Sequence, residues 1–131
     1  MKILNVLFLV TSFMLMSFGV QPTDPNAKKS ASPVTWKSES IEVGEIPQGT
    51  PKAVVFEFVN TGKTDIIITN VKASCGCTAT DYTKTPVKPG KKATVTATYN
   101  AANKGAFTKT VTVTTNAETA PKVLTFRGTV I

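Results

Sequence analysis

The amino-acid sequence predicts an all-β fold, an antiparallel β-sandwich of about seven strands, on three observations. Apolar residues recur with a period of two, the segments carrying that period are short, and turn-forming residues separate them at regular intervals. Together these describe a domain of immunoglobulin-like shape. Beyond the amino-terminal segment no run of residues carries a helical stripe.

Taken in order, the first predicted strand is Ile41–Ile46, which ends at the turn signal Pro47-Gln48-Gly49. In Ala53–Val59 the side chains of Val54, Phe56 and Phe58 share one face and Glu57 takes the other, as a half-buried strand requires. Asn60-Thr61-Gly62-Lys63 then turns the chain into a strand over Asp65–Ala73. Lys88-Pro89-Gly90-Lys91 places proline and glycine at the two central positions of a type II turn. Ala93–Tyr99 alternates apolar residues with Thr94, Thr96 and Thr98. Phe107–Thr115 does the same, except that Lys109 falls in the apolar phase, which predicts a bulge or a late start to the strand. Val123–Val130 closes the series, with Leu124, Phe126 and Val130 on one side. The predicted core thus holds Phe56, Phe58, Val95, Tyr99, Leu124 and Phe126.

The domain is preceded by two segments of different character. Met1-Lys2 is followed by 16 mainly apolar residues, Ile3–Phe18, and then Ser17 and Gly19 stand at the spacing that signal peptidase requires. Residues 1–19 are therefore predicted to be a signal peptide cleaved after Gly19, the apolar run being shorter than the roughly 20 residues that a bilayer span needs. Val20-Gln21 follows rather than the cysteine of a lipid-anchored protein. Residues 20–33 are rich in Pro, Ser and Lys without periodicity, and read as a flexible spacer. Residues 34–131 remain for the sandwich, enough for one small core.

Composition narrows the chemistry. The chain has no histidine, which removes the commonest metal ligand and the base of the usual serine and cysteine triads. Its eight carboxylates are scattered, and no glycine-rich phosphate loop is present. The formal net charge is +7, with lysines concentrated in the spacer and the turns. That placement keeps sheet edges soluble and would also attract anionic envelope components. Nucleic acid is not an expected partner of an exported chain. The threonine rows read as the solvent faces of strands.

The order of motifs resembles a known bacterial family. Ile46-Pro47-Gln48-Gly49, Phe58-Val59-Asn60-Thr61-Gly62, the stretch Ile68-Thr69-Asn70-Val71-Lys72-Ala73-Ser74-Cys75-Gly76-Cys77-Thr78, Val87-Lys88-Pro89-Gly90, and Thr114-Thr115-Asn116 before Leu124-Thr125-Phe126-Arg127-Gly128 are similar to domain of unknown function 1573. The resemblance covers nearly all of the predicted domain. It implies an exported bacterial protein with a sandwich of the hydin and major-sperm-protein type, domains that generally bind or scaffold. It implies no activity.

Cys75 and Cys77 are the only cysteines and the candidate site. Joint use of the two thiols requires a bend in the chain, and Gly76 permits one by tolerating backbone conformations that other residues avoid. Four uses are open. A disulfide across so short a loop would constrain the unfolded chain by only roughly 1.5 kcal/mol, a poor staple and a better redox couple. Lys72 and Lys84, near in sequence, could favour thiolate. Two thiolates also suit a soft ion such as Cu(I), whereas tetrahedral zinc needs four ligands. The thiols could instead link two chains, or sit as small half-buried residues in a tight loop.

The expectation from sequence is thus a periplasmic or secreted, non-enzymatic binding or structural module of the bacterial envelope. Its partner would be an unknown protein or envelope component, with no cofactor and no stable membrane span after cleavage. The alternative is a thiol redox or copper-like metal-binding protein acting through Cys75 and Cys77.

Overall fold

A computed structural model describes residues 32–131; the predicted signal peptide, 1–19, and most of the spacer, 20–33, lie outside the described residues. Among those described there are eight strands: β1 (Val34–Trp36), β2 (Ser40–Ile46), β3 (Lys52–Asn60), β4 (Ile68–Ala73), β5 (Thr78–Tyr82), β6 (Lys92–Tyr99), β7 (Gly105–Thr115) and β8 (Lys122–Val130). They form two four-stranded sheets, β1-β3-β6-β5 and β2-β8-β7-β4. The sandwich of the sequence is therefore present, with one more strand than the expected seven.

The extra strand and the other departures have local causes. β1 spans only three residues, too few to show a period, and is held by pairing with the end of β3, Val34 opposite Asn60 and Trp36 opposite Phe58. β5 follows the cysteines and is exposed on alternate residues, so its polar sequence Thr-Ala-Thr-Asp-Tyr carries little apolar signal. The predicted strand from Asp65 is interrupted: Ile66 bridges to Val87, and regular pairing with β7 resumes at Ile68, with a register shift before Asn70. The sheets are also not wholly antiparallel, because β2 runs parallel to β8. The chain reaches that position by crossing from β1 in one sheet to β2 in the other.

Lys109 corrects a second expectation. β7 pairs with β8 without a break from Gly105 opposite Val130 to Val113 opposite Lys122, so there is neither bulge nor late start. Lys109 keeps its inward phase, half-buried, with its Nζ 5.8 Å from the centre of the Tyr99 ring. A long side chain can bury its methylenes and keep its charge at the rim. The irregularity lies in β2 instead, between Glu42 and Gly44, where Gly44 has φ +78°. There Gly44 approaches Gly128 so closely that a Cβ on Gly128 would lie 2.5 Å from the Gly44 carbonyl oxygen.

The core matches the assigned phase. Phe56, Phe58, Val95, Tyr99, Leu124 and Phe126 are all buried between the sheets, together with Ile66, Val111 and Val113. Tyr99, Phe107 and Phe126 form an aromatic group, with Tyr99 and Phe107 centroids 4.4 Å apart. Burial of this kind supplies most of the driving force for a domain of this size.

The turns act as written. Lys91 N donates to Lys88 O at 2.9 Å and Gly90 has φ +79°, the geometry of a type II turn. Asn60 is fully buried: its Nδ2 donates to the carbonyls of Thr64 and Val87, both at 2.8 Å, and its Oδ1 accepts from Gly62 N at 2.9 Å. One side chain thus ties the turn after β3 to the loop before β6.

Candidate functional site

The cysteines lie where the chain passes from one sheet to the other. β4 is an edge strand of one sheet and β5 an edge strand of the other, so residues 74–77 form a four-residue crossover along an open side of the sandwich. Three backbone hydrogen bonds hold it: Ser74 N donates to Thr110 O at 2.9 Å, Thr78 N to Cys75 O at 3.4 Å, and Asn100 N to Cys77 O at 3.0 Å. A fourth runs from Thr110 N to Ser74 Oγ at 3.2 Å. The crossover is therefore anchored to β7 and to the residue that follows β6 through groups other than sulfur.

Within it, Cys75 and Cys77 are joined as a disulfide, with Cα atoms 5.3 Å apart. Both residues are half-buried and Gly76 between them is exposed. Their surroundings differ. Cys77 packs against the hydrophobic core, along with Tyr82 and Val71, whereas Cys75 lies outside that packing. The hydroxyl of buried Thr78 sits below both sulfurs, 3.8 Å from Cys75 Sγ and 3.9 Å from Cys77 Sγ. Thr78 is a residue the sequence did not single out; no spacing rule marks it, since its role depends on the crossover bending back over it.

The lysines proposed as thiolate partners are disposed otherwise. Lys84 places its Nζ 3.4 Å over the Tyr82 ring, a cation–π contact, and Lys72 is exposed on β4. Lys109 precedes Thr110, whose carbonyl accepts from Ser74 N, and its own Nζ lies toward the Tyr99 ring. A disulfide presents no thiolate to a metal, and among the described residues no group of three or more Cys, Asp or Glu side chains could hold an ion.

A second feature lies on the opposite edge. β1 covers only the last residues of β3, and Lys37 N donates to Glu57 O. Backbone groups of alternate residues in a strand point to the same side, so those of Ala53 and Val55 face the same open edge with no strand beside them. The gap between β3 and β2 is a cleft of about 470 Å³ lined by Lys37, Ser38, Ile41, Val55, Phe56 and Glu57. Val55 is 53% exposed there.

Among the described residues the carboxylates share no common centre: Glu57 pairs with Lys92, Glu39 with Lys122 and Glu42 with Arg127. All three pairs are largely exposed and add little stability. Among the described residues no helix is long and apolar enough to cross a membrane.

One antiparallel and one mixed four-stranded sheet, packed face to face, define an immunoglobulin-like sandwich. The chain belongs to the family described as protein of unknown function (DUF1573), which it matches over residues 34–130. Among solved structures it is similar to a protein of unknown function from Porphyromonas gingivalis W83, with 13% identity and a TM-score of 0.65 over 74% of this chain and 46% of that one. It is also similar to the ASH/PapD-like domain 7 of human CEP192, with 12% identity and a TM-score of 0.64 over 76% of this chain and 86% of that domain. The secreted serine protease VesC of Vibrio cholerae matches at 13% identity and a TM-score of 0.58, over 76% of this chain but 23% of the protease. The chain thus spans less than half of the first and last of these proteins. At such identities the likeness is one of fold alone. No curated protein matches the chain.

Proposed function

We propose that this protein is an exported, non-enzymatic binding module of the bacterial envelope, which receives an extended segment of a partner protein along β3. The observation that carries this reading is the unpaired half of β3, where the backbone groups of Ala53 and Val55 face a cleft edged by Ile41 and Val43. A strand added there would gain main-chain hydrogen bonds, while alternate side chains would enter the cleft. Export rests on the leader in the sequence: cleavage after Gly19 gives a mature chain beginning at Val20, released to the periplasm or beyond.

A photo-crosslinking residue placed at Val55 in intact cells, with a second at Thr114 on the other sheet as control, tests the binding surface. The expected result is a discrete protein adduct from position 55 that Ala53→Pro abolishes, since the N–H removed is one the fold does not use. Adducts of equal yield from both positions, or none from position 55, would overturn it. Amino-terminal sequencing of the exported fraction tests processing, with Val20 as the expected first residue.

The second reading, thiol redox chemistry at Cys75 and Cys77, is favoured by one observation: the pair is bonded in a loop whose shape other hydrogen bonds maintain.

A further inference from the structure

We propose that the Cys75–Cys77 disulfide is a reversible two-electron couple in which an external thiol attacks Cys75 Sγ and Cys77 departs as the thiolate. This deepens the second reading above, on which it rests, and is independent of strand binding in the β3 cleft.

Three features of the crossover point to this chemistry. The bond spans two residues in sequence, so it restrains the unfolded chain far less than a long-range staple and contributes correspondingly little to its own persistence. The loop does not need it: Ser74, Cys75 and Cys77 are held through backbone hydrogen bonds to Thr110, Thr78 and Asn100. Reduction therefore leaves the two thiols close together and ready to reclose. The sulfurs are also unequal. Both are half-buried, but Cys77 is packed on the core, whereas Cys75, beside exposed Gly76, is left outside that packing.

The step balances with a dithiol as co-reactant. One thiolate of a dithiol protein attacks Cys75 Sγ, forming a mixed disulfide and breaking the Cys75–Cys77 bond, and the electron pair leaves on Cys77 Sγ. Cys77 is protonated from solvent. The second thiol of the donor then attacks the donor's own sulfur in the mixed disulfide and releases Cys75, which is protonated in turn. The donor leaves as a disulfide and the loop as a dithiol; two electrons and two protons have moved. In the opposite direction the reduced loop delivers them to an oxidised partner. Thr78 is a positioning residue, with a hydroxyl able to donate to the departing Cys77 thiolate from its buried place under the loop.

The test uses the folded mature chain in glutathione redox buffers, with thiols counted by alkylation and mass spectrometry. Complete, reversible reduction without denaturant is expected, with the urea midpoint almost unmoved. Under limiting reduced glutathione and acid quenching, fragment spectra should place the mixed disulfide on Cys75 about tenfold more often than on Cys77. Oxidised glutathione should likewise modify the Cys77→Ser variant, at Cys75, faster than it modifies the Cys75→Ser variant. Thr78→Val should slow reduction while both thiols remain countable. A bond that stays closed in excess reduced glutathione until the protein is unfolded would overturn the couple. Equal occupancy of the two sulfurs would overturn the assignment of Cys75.

Discussion

The turn at Asn60-Thr61-Gly62 and the crossover at Cys75-Gly76-Cys77 are each three residues with one glycine and two polar or reactive side chains, yet they lie at opposite ends of β6 and differ in construction. The Asn60 turn is closed by a buried side chain with three hydrogen bonds and by Gly62, where a Cβ would lie 2.7 Å from Pro33 Cβ. The crossover has open space around Gly76 and half-buried sulfurs, and it is anchored by backbone groups and by Ser74 Oγ rather than by its cysteine side chains. A residue motif is structural where its polar atoms are consumed internally. Where they are not, the motif is free for chemistry.

The sharpest way to break this contrast is to remove the aromatic support behind the crossover. Phe126, packed against Tyr99 and Phe107, is fully buried, so Phe126→Ala is expected to cost about 3 to 5 kcal/mol in a denaturant melt. A loss below about 1 kcal/mol would mean that this end is loosely packed and the anchoring of the loop illusory.

Asn60→Ala comes next, at about 1 to 3 kcal/mol, because it removes a fully buried side chain and takes the Thr64 carbonyl's donor and the Gly62 amide's acceptor, while the Val87 carbonyl keeps its bond from Ile66 N. Hydrogen exchange should quicken at Gly62 and leave residues 74–78 protected. Spread of the effect to the crossover would show that the two ends are one cooperative unit.

The double change Cys75→Ser with Cys77→Ser is expected to lower stability by no more than about 1.5 kcal/mol, the limit set by so short a loop. A larger loss in thermal melts would make the bond a staple and erase the difference between the two ends. Smallest of all should be Thr96→Ala, on the outer face of β6, at under about 0.5 kcal/mol. Equality with Phe126→Ala would mean that the strand phase is wrong.

Much of this was legible in the residues. The two-residue period over 53–59, 93–99 and 123–130 places Phe56, Phe58, Val95, Tyr99, Leu124 and Phe126 inside, because alternation on a half-buried strand has one solution. Pro89-Gly90 likewise specifies its turn through backbone preferences that neighbours cannot override. β1 and β5 were not legible, since three residues and a polar five-residue segment acquire strand geometry from the partners β3 and β6 rather than from their own pattern. Lys109 misled for a related reason: an inward phase with a charge looks like a fault until the rim of the sheet and the Tyr99 ring are in place.

The sequence by itself determined the fold class, the inward face of the long strands, the absence of histidine chemistry and the pair of thiols to examine, since all of these follow from local composition and period. Only the tertiary structure decided that β2 runs parallel to β8, that β3 is left half uncovered, and that Cys77 packs on the core while Cys75 does not. Those facts depend on which strands meet across distances the chain spans through its turns, and no local pattern records a long-range contact.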